Sequence, residues 1–285
     1  MEKYSVLMPV YIRENAEYFR QAVDSMFNQT VQPDEFVLVC DGPLTEELEQ
    51  VIAWNEHAHP DVFRVIRLPE NRGLGVALQI GLEQCKNDLV ARMDSDDISL
   101  PDRLEKQLKV MEDKTISVVG GQIAEFEDTP ENIVGYRVVP QSSEEIYRFA
   151  KYRCPVNHMT VLMRRTDVLA VGGYQHFPSH EDYFLWIRLI EAGYRFVNVP
   201  EICCHVRVNR FFYQRRGGWD YFVKAYRLQQ TLLQKRLINR LEFAGNVALR
   251  LVGAVLITPG MRGSVVNKIL RKGKLDQESK AGAVR

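Results

Sequence analysis

Four short apolar runs separated by helical stretches dominate the first third of this chain. Residues 4–10, 35–40, 62–67 and 88–93 are each six or seven residues long and rich in Val, Leu, Ile, Phe or Met. Runs this short and this continuously apolar read as strands covered on both faces. Between them, residues 15–29 set Phe19, Ala22, Val23, Met26 and Phe27 at helical spacing before Pro33, and 44–57 and 74–85 give two further helices. Regular β/α alternation of this kind predicts an open, doubly wound α/β sheet with ligands at the carboxyl ends of its strands. After residue 100 the alternation loosens. A helix to about 112, strands at 115–126 and 133–139, a helix at 142–151, a strand at 159–164, a helix at 181–193 and an extended run at 194–208 follow. From 219 the pattern is helical.

The chain's 285 residues carry no formal net charge, but the zero is made of two opposed blocks. Residues 1–209 hold 21 Lys/Arg against 33 Asp/Glu, whereas 210–274 hold 14 against 2. An acidic body with a basic extension is the expectation, divided as 1–210 and 211–285. Five cysteines without CxxC spacing read as reduced thiols. The first residues lack a basic leader pattern, and no stretch reaches the roughly 20 apolar residues of a spanning helix. The active site is therefore expected to face the cytoplasm.

Polar motifs follow three of the strands. Asp41-Gly42 follows the second, Asn71-Arg72-Gly73-Leu74-Gly75 the third, and Asp94-Ser95-Asp96-Asp97 the fourth. Three carboxylates within four residues repel unless a cation or a hydrogen-bond network compensates. Hard ions such as Mn²⁺ or Mg²⁺ take carboxylate oxygens and bridge protein to a diphosphate. The competing account is a solvated turn with Asp97 or Ser99 capping the helix near Pro101. Glu181-Asp182 likewise suits either the first turn of a helix or a proton acceptor held ionised there. All three motifs would converge on one sheet edge. No GxGxxG follows the first strand, which disfavours a dinucleotide site.

In these residues the chain resembles the GT-A-fold family 2 glycosyltransferases. The resemblance rests on Ser5-Val6-Leu7-Met8-Pro9-Val10-Tyr11, Asp41-Gly42, Asn71-Arg72-Gly73, Asp94-Ser95-Asp96-Asp97, Gly172-Gly173-Tyr174 and Glu181-Asp182-Tyr183-Phe184-Leu185-Trp186, in that order over roughly residues 3–210. It implies a nucleotide-diphospho-sugar transferase fold, a Rossmann-like mixed sheet flanked by helices, with a helical C-terminal extension. It is closest to members that build O-antigen, capsule or exopolysaccharide units on a lipid carrier. Pro9, Tyr11 and Asp41 would then hold base and ribose, Arg72 the nucleotide pocket, and Asp94 with Ser95 the donor. Asp96 would ligate Mn²⁺ or Mg²⁺ on the diphosphate of a UDP-sugar, with His205 as a further ligand, although an alternating strand accounts for His205 equally well. Asp182, in its pair with Glu181, would deprotonate the acceptor in an inverting transfer. His158 would lie toward the acceptor, or be structural. Arg215 and Arg216, in a Gly-flanked loop, would close over the diphosphate.

Residues 219–257 interleave apolar and basic side chains, with Glu242, Asn246 and Arg250 on one stripe at four-residue spacing. This pattern predicts a helix lying in a membrane interface plane with its basic residues toward anionic headgroups. The alternative is an appendage packed on the body. This charge pattern and the polyprenyl-diphosphate-linked saccharide acceptor that the resemblance implies both point to a peripheral enzyme at the inner face of the cytoplasmic membrane. No nucleic-acid recognition motif accompanies the basic residues. A sugar-nucleotide nucleotidyltransferase is the rival enzyme, but residues 8–12 offer no glycine to grip a triphosphate. A non-catalytic sugar-nucleotide-binding protein is the rival outside enzymes.

Overall fold

A computed structural model describes residues 2–208 and 217–256. Nine strands form one mixed sheet in the order β3-β2-β1-β4-β8-β6-β9-β5, with β7 beside β6. The strands are β1 (Tyr4–Val10), β2 (Glu35–Cys40), β3 (Phe63–Arg67), β4 (Leu89–Arg92), β5 (Ile98–Ser99), β6 (Ile116–Phe126), β7 (Ile133–Arg137), β8 (Leu162–Arg164) and β9 (Arg195–Arg207). The helices are α1 (Ala16–Phe27), α2 (Glu46–Ala58), α3 (Leu74–Gln84), α4 (Arg103–Val110), α5 (Ser143–Phe149), α6 (Arg165–Ala170), α7 (Glu181–Glu191), α8 (Trp219–Gln234) and α9 (Arg240–Leu251). Strands β1 to β4 pair in parallel, and β8 turns the sheet antiparallel.

The apolar runs are covered on both faces, as their continuity requires. In β1, Tyr4, Val6, Met8 and Val10 join one buried layer with Phe19, Val23 and Met26 of α1, while Leu7 joins the opposite layer with Leu78 and Leu82 of α3. This double coverage fixes the direction of β1, β2 and β4, so their carboxyl ends emerge together. The loop after β4 is held from below by Arg103 of α4, which is fully buried. Its Nη2 donates to the carbonyls of Arg92 (2.9 Å) and Val161 (3.2 Å), and its Nε donates to Gln107 (3.1 Å). Helix α4 begins at Arg103, so neither expected cap applies. Asp97 instead accepts the backbone N–H of Arg207, and Ser99 lies in β5 with its N–H donated to Ser25.

The C-terminal helices pack on the body. Leu228 and Leu232 of α8, with Ile238, bury against Tyr183 and Ile187 of α7. Here the stripe of the last helix takes the packed alternative. Glu242, Asn246 and Arg250 face the body, where hydrogen bonds compensate their burial. Glu242 accepts from Lys151 (3.2 Å), Asn246 donates to the Lys151 carbonyl (2.8 Å) and to Gln229 (2.9 Å), and Arg250 donates to the Tyr152 carbonyl (2.6 Å). Periodicity located the stripe correctly, but it carries no information about which side is wet.

Replacing Arg103 by Met would leave the Arg92 and Val161 carbonyls without this buried donor. A loss of about 3 kcal/mol in unfolding free energy is expected by denaturant titration, the scale for breaking a buried charged network. A change under about 0.5 kcal/mol, the scale of an ordinary surface substitution, would contradict this role.

Candidate active site

A cleft of about 580 Å³ opens over the carboxyl ends of β1, β2 and β4. Pro9, Val10 and Tyr11 line it from β1, Asp41 from β2, Asn71 and Gly73 from the turn into α3, and Asp94, Ser95 and Asp96 from the loop after β4. A more open hollow of about 640 Å³ lies between Val139–Gln141 and α5; it holds Glu145 and Arg148 but none of the motif residues. Of the expected site residues, Pro9, Tyr11, Asp41, Asp94, Ser95 and Asp96 converge in the smaller cleft.

The Asp41-Gly42 and Asn71-Arg72-Gly73 motifs prove to be one unit. The two Asp41 carboxylate oxygens accept the backbone N–H groups of Arg72 (2.7 Å) and Gly73 (2.9 Å), and the Asn71 amide donates to the Asp41 carbonyl (3.2 Å). Gly42 turns the chain at φ 91°, where a Cβ would stand 2.7 Å from the Asn71 nitrogen, so only glycine fits. Each Asp41 oxygen keeps a second lone pair for a ligand. Arg72 itself is exposed and does not line the cleft.

The acidic loop is braced by two arginines. Asp94 pairs with Arg92, whose guanidinium is 1% exposed and whose Nε and Nη1 have no partner among the described residues. From the far side, the Arg207 backbone N–H donates to Asp97 (3.0 Å) and its Nε to the Asp96 carbonyl (3.3 Å), while its guanidinium stacks 3.7 Å from the Tyr18 ring. Ser95 donates to Glu14 (2.7 Å), which brings a fourth carboxylate to the cleft. Burial, then Asp94 and Glu14, push the Asp96 carboxyl up to about 7. Burial, then Asp96 and Asp94, hold Asp97 well above the usual range. The arginines thus do not offset the burial of these two carboxyls.

Among the described residues no three His, Cys, Asp or Glu side chains converge closely enough to hold an ion unaided. Asp96 and Asp94 nevertheless offer hard oxygen donors beside a surplus of negative charge. That donor set suits a divalent cation that takes the rest of its shell from a ligand's phosphates and water. His205 lies opposite Ile98 on β9, its ring beside Phe126 (6.3 Å) and its pKa lowered by burial, and it does not line the cleft. Arg215 and Arg216 lie outside the described residues.

Glu181 and Asp182 open α7, beyond Asp94 and outside the cleft lining. Their side chains diverge. Glu181 packs beside Gly75 at the head of α3, with its carboxyl raised by burial first and then by Asp182. Asp182 accepts the Cys154 thiol (3.5 Å). His158 is buried against Tyr174, with Nε2 2.8 Å from the hydroxyl, and burial holds its imidazole well below its usual pKa. It is thereby a neutral partner in a wall.

Sequence reasoning missed Glu14, Tyr18, Arg92 and Arg207. Arg92 did leave a signal, as the one basic residue in an otherwise apolar strand. Arg207 reaches the loop only through the pairing of β9 with β5, which no local pattern reports.

The glycosyl transferase family 2 model matches residues 5–172, and the related group 2 model matches 89–262. The amylovoran biosynthesis glycosyltransferase AmsE of Erwinia amylovora is 38% identical over 83% of this chain and 89% of its own. A UDP-Gal:α-D-GlcNAc-diphosphoundecaprenol β-1,3-galactosyltransferase of Escherichia coli is 33% identical over 95% of this chain and 97% of its own. Among solved structures, a mannosyltransferase of Pyrobaculum calidifontis in complex with GDP-Man and Mn²⁺ superposes with a TM-score of 0.62 at 18% identity, covering 98% of this chain and 78% of its own. The sheet is thus GT-A-like, and the chain belongs to the family 2 glycosyltransferases.

Proposed function

We propose that this glycosyltransferase moves one sugar, with inversion, from a UDP-sugar to a lipid-linked saccharide during bacterial surface polysaccharide synthesis. The observation that carries the reading is the convergence of Asp41, Asp94 and Asp96 in one cleft at the carboxyl edge of the sheet. The similarity to AmsE supports polysaccharide synthesis. The similarity to the galactosyltransferase supports both a UDP-sugar donor and a polyprenyl-diphosphate acceptor.

In this reading Pro9 and Tyr11 pack against the base, Asp41 accepts from the ribose or base, and Asp94 and Ser95 orient the sugar diphosphate. Asp96 holds Mn²⁺ or Mg²⁺, which supplies charge neutralisation for the departing diphosphate. Arg207 and Arg92 brace the loop so that its carboxylates keep their positions when the donor arrives. Asp182 takes the proton of the acceptor hydroxyl on the face opposite the nucleotide. Glu181 is the rival for that task, because burial raises its carboxyl and it, rather than Asp182, packs beside α3. Work at the inner membrane face follows from a lipid-borne acceptor and from the 14 Lys/Arg against 2 Asp/Glu of residues 210–274. Among the described residues no helix is long and apolar enough to cross a membrane.

Two experiments separate these roles. Asp96→Ala should abolish Mn²⁺-dependent UDP binding in calorimetry. In the native chain, proton and cation compete for Asp96, whose carboxyl stands at about 7. Mn²⁺ affinity should therefore rise as pH climbs to about 7 and level off above it; flat affinity from pH 5 to 8, or unchanged binding in the variant, removes Asp96 as ligand. Asp182→Asn should keep donor affinity and lose about 10³-fold in transfer, with Glu181→Gln losing less than about tenfold. The opposite ranking assigns the base to Glu181.

A further inference from the structure

Helix α9 is amphipathic with its polar side inward. Its outward face presents Leu241, Ala244, Gly245, Ala248, Leu249 and Val252, all exposed and none of them polar. Leu241 is 85% and Leu249 73% exposed, values at which a leucine side chain gains almost nothing from folding. The face continues into Val255, and the Gly218 N–H donates to the Ala254 carbonyl (2.7 Å), which brings the exposed Trp219 to the same end. The helix cannot roll to hide this face without breaking the bonds of Glu242, Asn246 and Arg250 to the 151–152 turn and α8.

We infer that the outward face of α9 is a lipid-docking surface that lies in the interface of an anionic bilayer. Charge complementarity favours lipid. Arg227, Arg236 and Arg240 are exposed on and around the helix pair, and residues 257–274 add five Lys/Arg and no acid immediately beyond the described helix. Apolar side chains entering the acyl boundary beneath a basic rim are the two components that hold a peripheral helix on anionic lipid. Trp219, at the end of the face, is the residue type that prefers the headgroup level. A second copy of the chain is the poorer occupant. A strip of 12 helical residues spans roughly 18 Å by 10 Å, far below the about 800 Å² per partner of a stable interface.

The position serves the proposed reaction, and in this respect the inference rests on the reading of a lipid-borne acceptor. The polar stripe of α9 grips Lys151 and Tyr152, and the same turn carries Cys154, whose thiol bonds Asp182. Docking through α9 would therefore hold at the bilayer the packed unit that carries Asp182, the proposed base for a polyprenyl-linked hydroxyl.

The test uses the full chain and sedimentation with vesicles of phosphatidylcholine containing phosphatidylglycerol. Leu241→Glu/Leu249→Glu should weaken vesicle binding on the order of 100-fold, from two lost leucine insertions, with Mn²⁺-dependent UDP affinity unchanged. Ala248→Trp should strengthen vesicle binding. Equal binding by native and double-Glu chains overturns the inference. So does a native dimer in light scattering that the double variant dissolves, which assigns the face to a second copy. Stronger vesicle binding after removal of residues 257–285 assigns it to that segment instead. If vesicles bind as expected but no sugar reaches a polyprenyl-linked acceptor, the functional reading fails and the docking surface stands.

Discussion

Mutual repulsion of Asp94, Asp96 and Asp97 is the constraint around which the carboxyl edge of the sheet is organised. Three carboxylates on four residues, with Glu14 beside them, would drive the loop open if left to solvent. They are held by a buried guanidinium from β4, a stacked guanidinium from β9, and a bonded Ser95 hydroxyl. The compensation is incomplete. Asp96 and Asp97 remain pushed up, by burial first and by neighbouring carboxylates second, so a proton or a cation there would relieve them. A diphosphate alone would worsen this repulsion, whereas a cation with a diphosphate would relieve it.

Two other features depend on that edge being rigid. Each Asp41 carboxylate oxygen accepts one backbone N–H, from Arg72 and from Gly73, which ties the second and third strand ends into a single floor. Arg103 ties the end of β4 to Val161 from beneath. A site built from strand ends is preorganised to the extent that such bonds hold it, and preorganised dipoles and charges are where a transferase gains most. At the opposite end, α9 couples its apolar outer face to the turn that carries Cys154 and hence to Asp182. Asp182 and the exposed apolar face are thus parts of one packed unit.

Much of this was legible in the sequence because it is local or periodic. The four parallel strands announce themselves as continuous apolar runs, and the three motifs follow strand ends that the sheet brings together. What failed was what depends on tertiary pairing. Asp97 was open to reading as a cap because its partner, the Arg207 amide, lies far along the chain. The bracing arginines were not singled out for the same reason. The stripe of Glu242, Asn246 and Arg250 is legible as spacing, but the side it faces is not, since period does not tell a wet face from a hydrogen-bonded buried one. His205 reads equally as a metal ligand or as part of an alternating strand, and only the strand register sets it beside Phe126 and outside the cleft lining.

The unsatisfied charge at Asp96 is tested most directly by proton release. Calorimetric titration of the full chain with UDP at pH 7, with and without Mn²⁺ and in two buffers of different ionisation enthalpy, reads both affinity and protons exchanged. With Asp96 at about 7 in the free cleft, UDP should bind only with Mn²⁺ and release about half a proton per site. UDP binding of equal strength in EDTA, with no difference between the buffers, would contradict it.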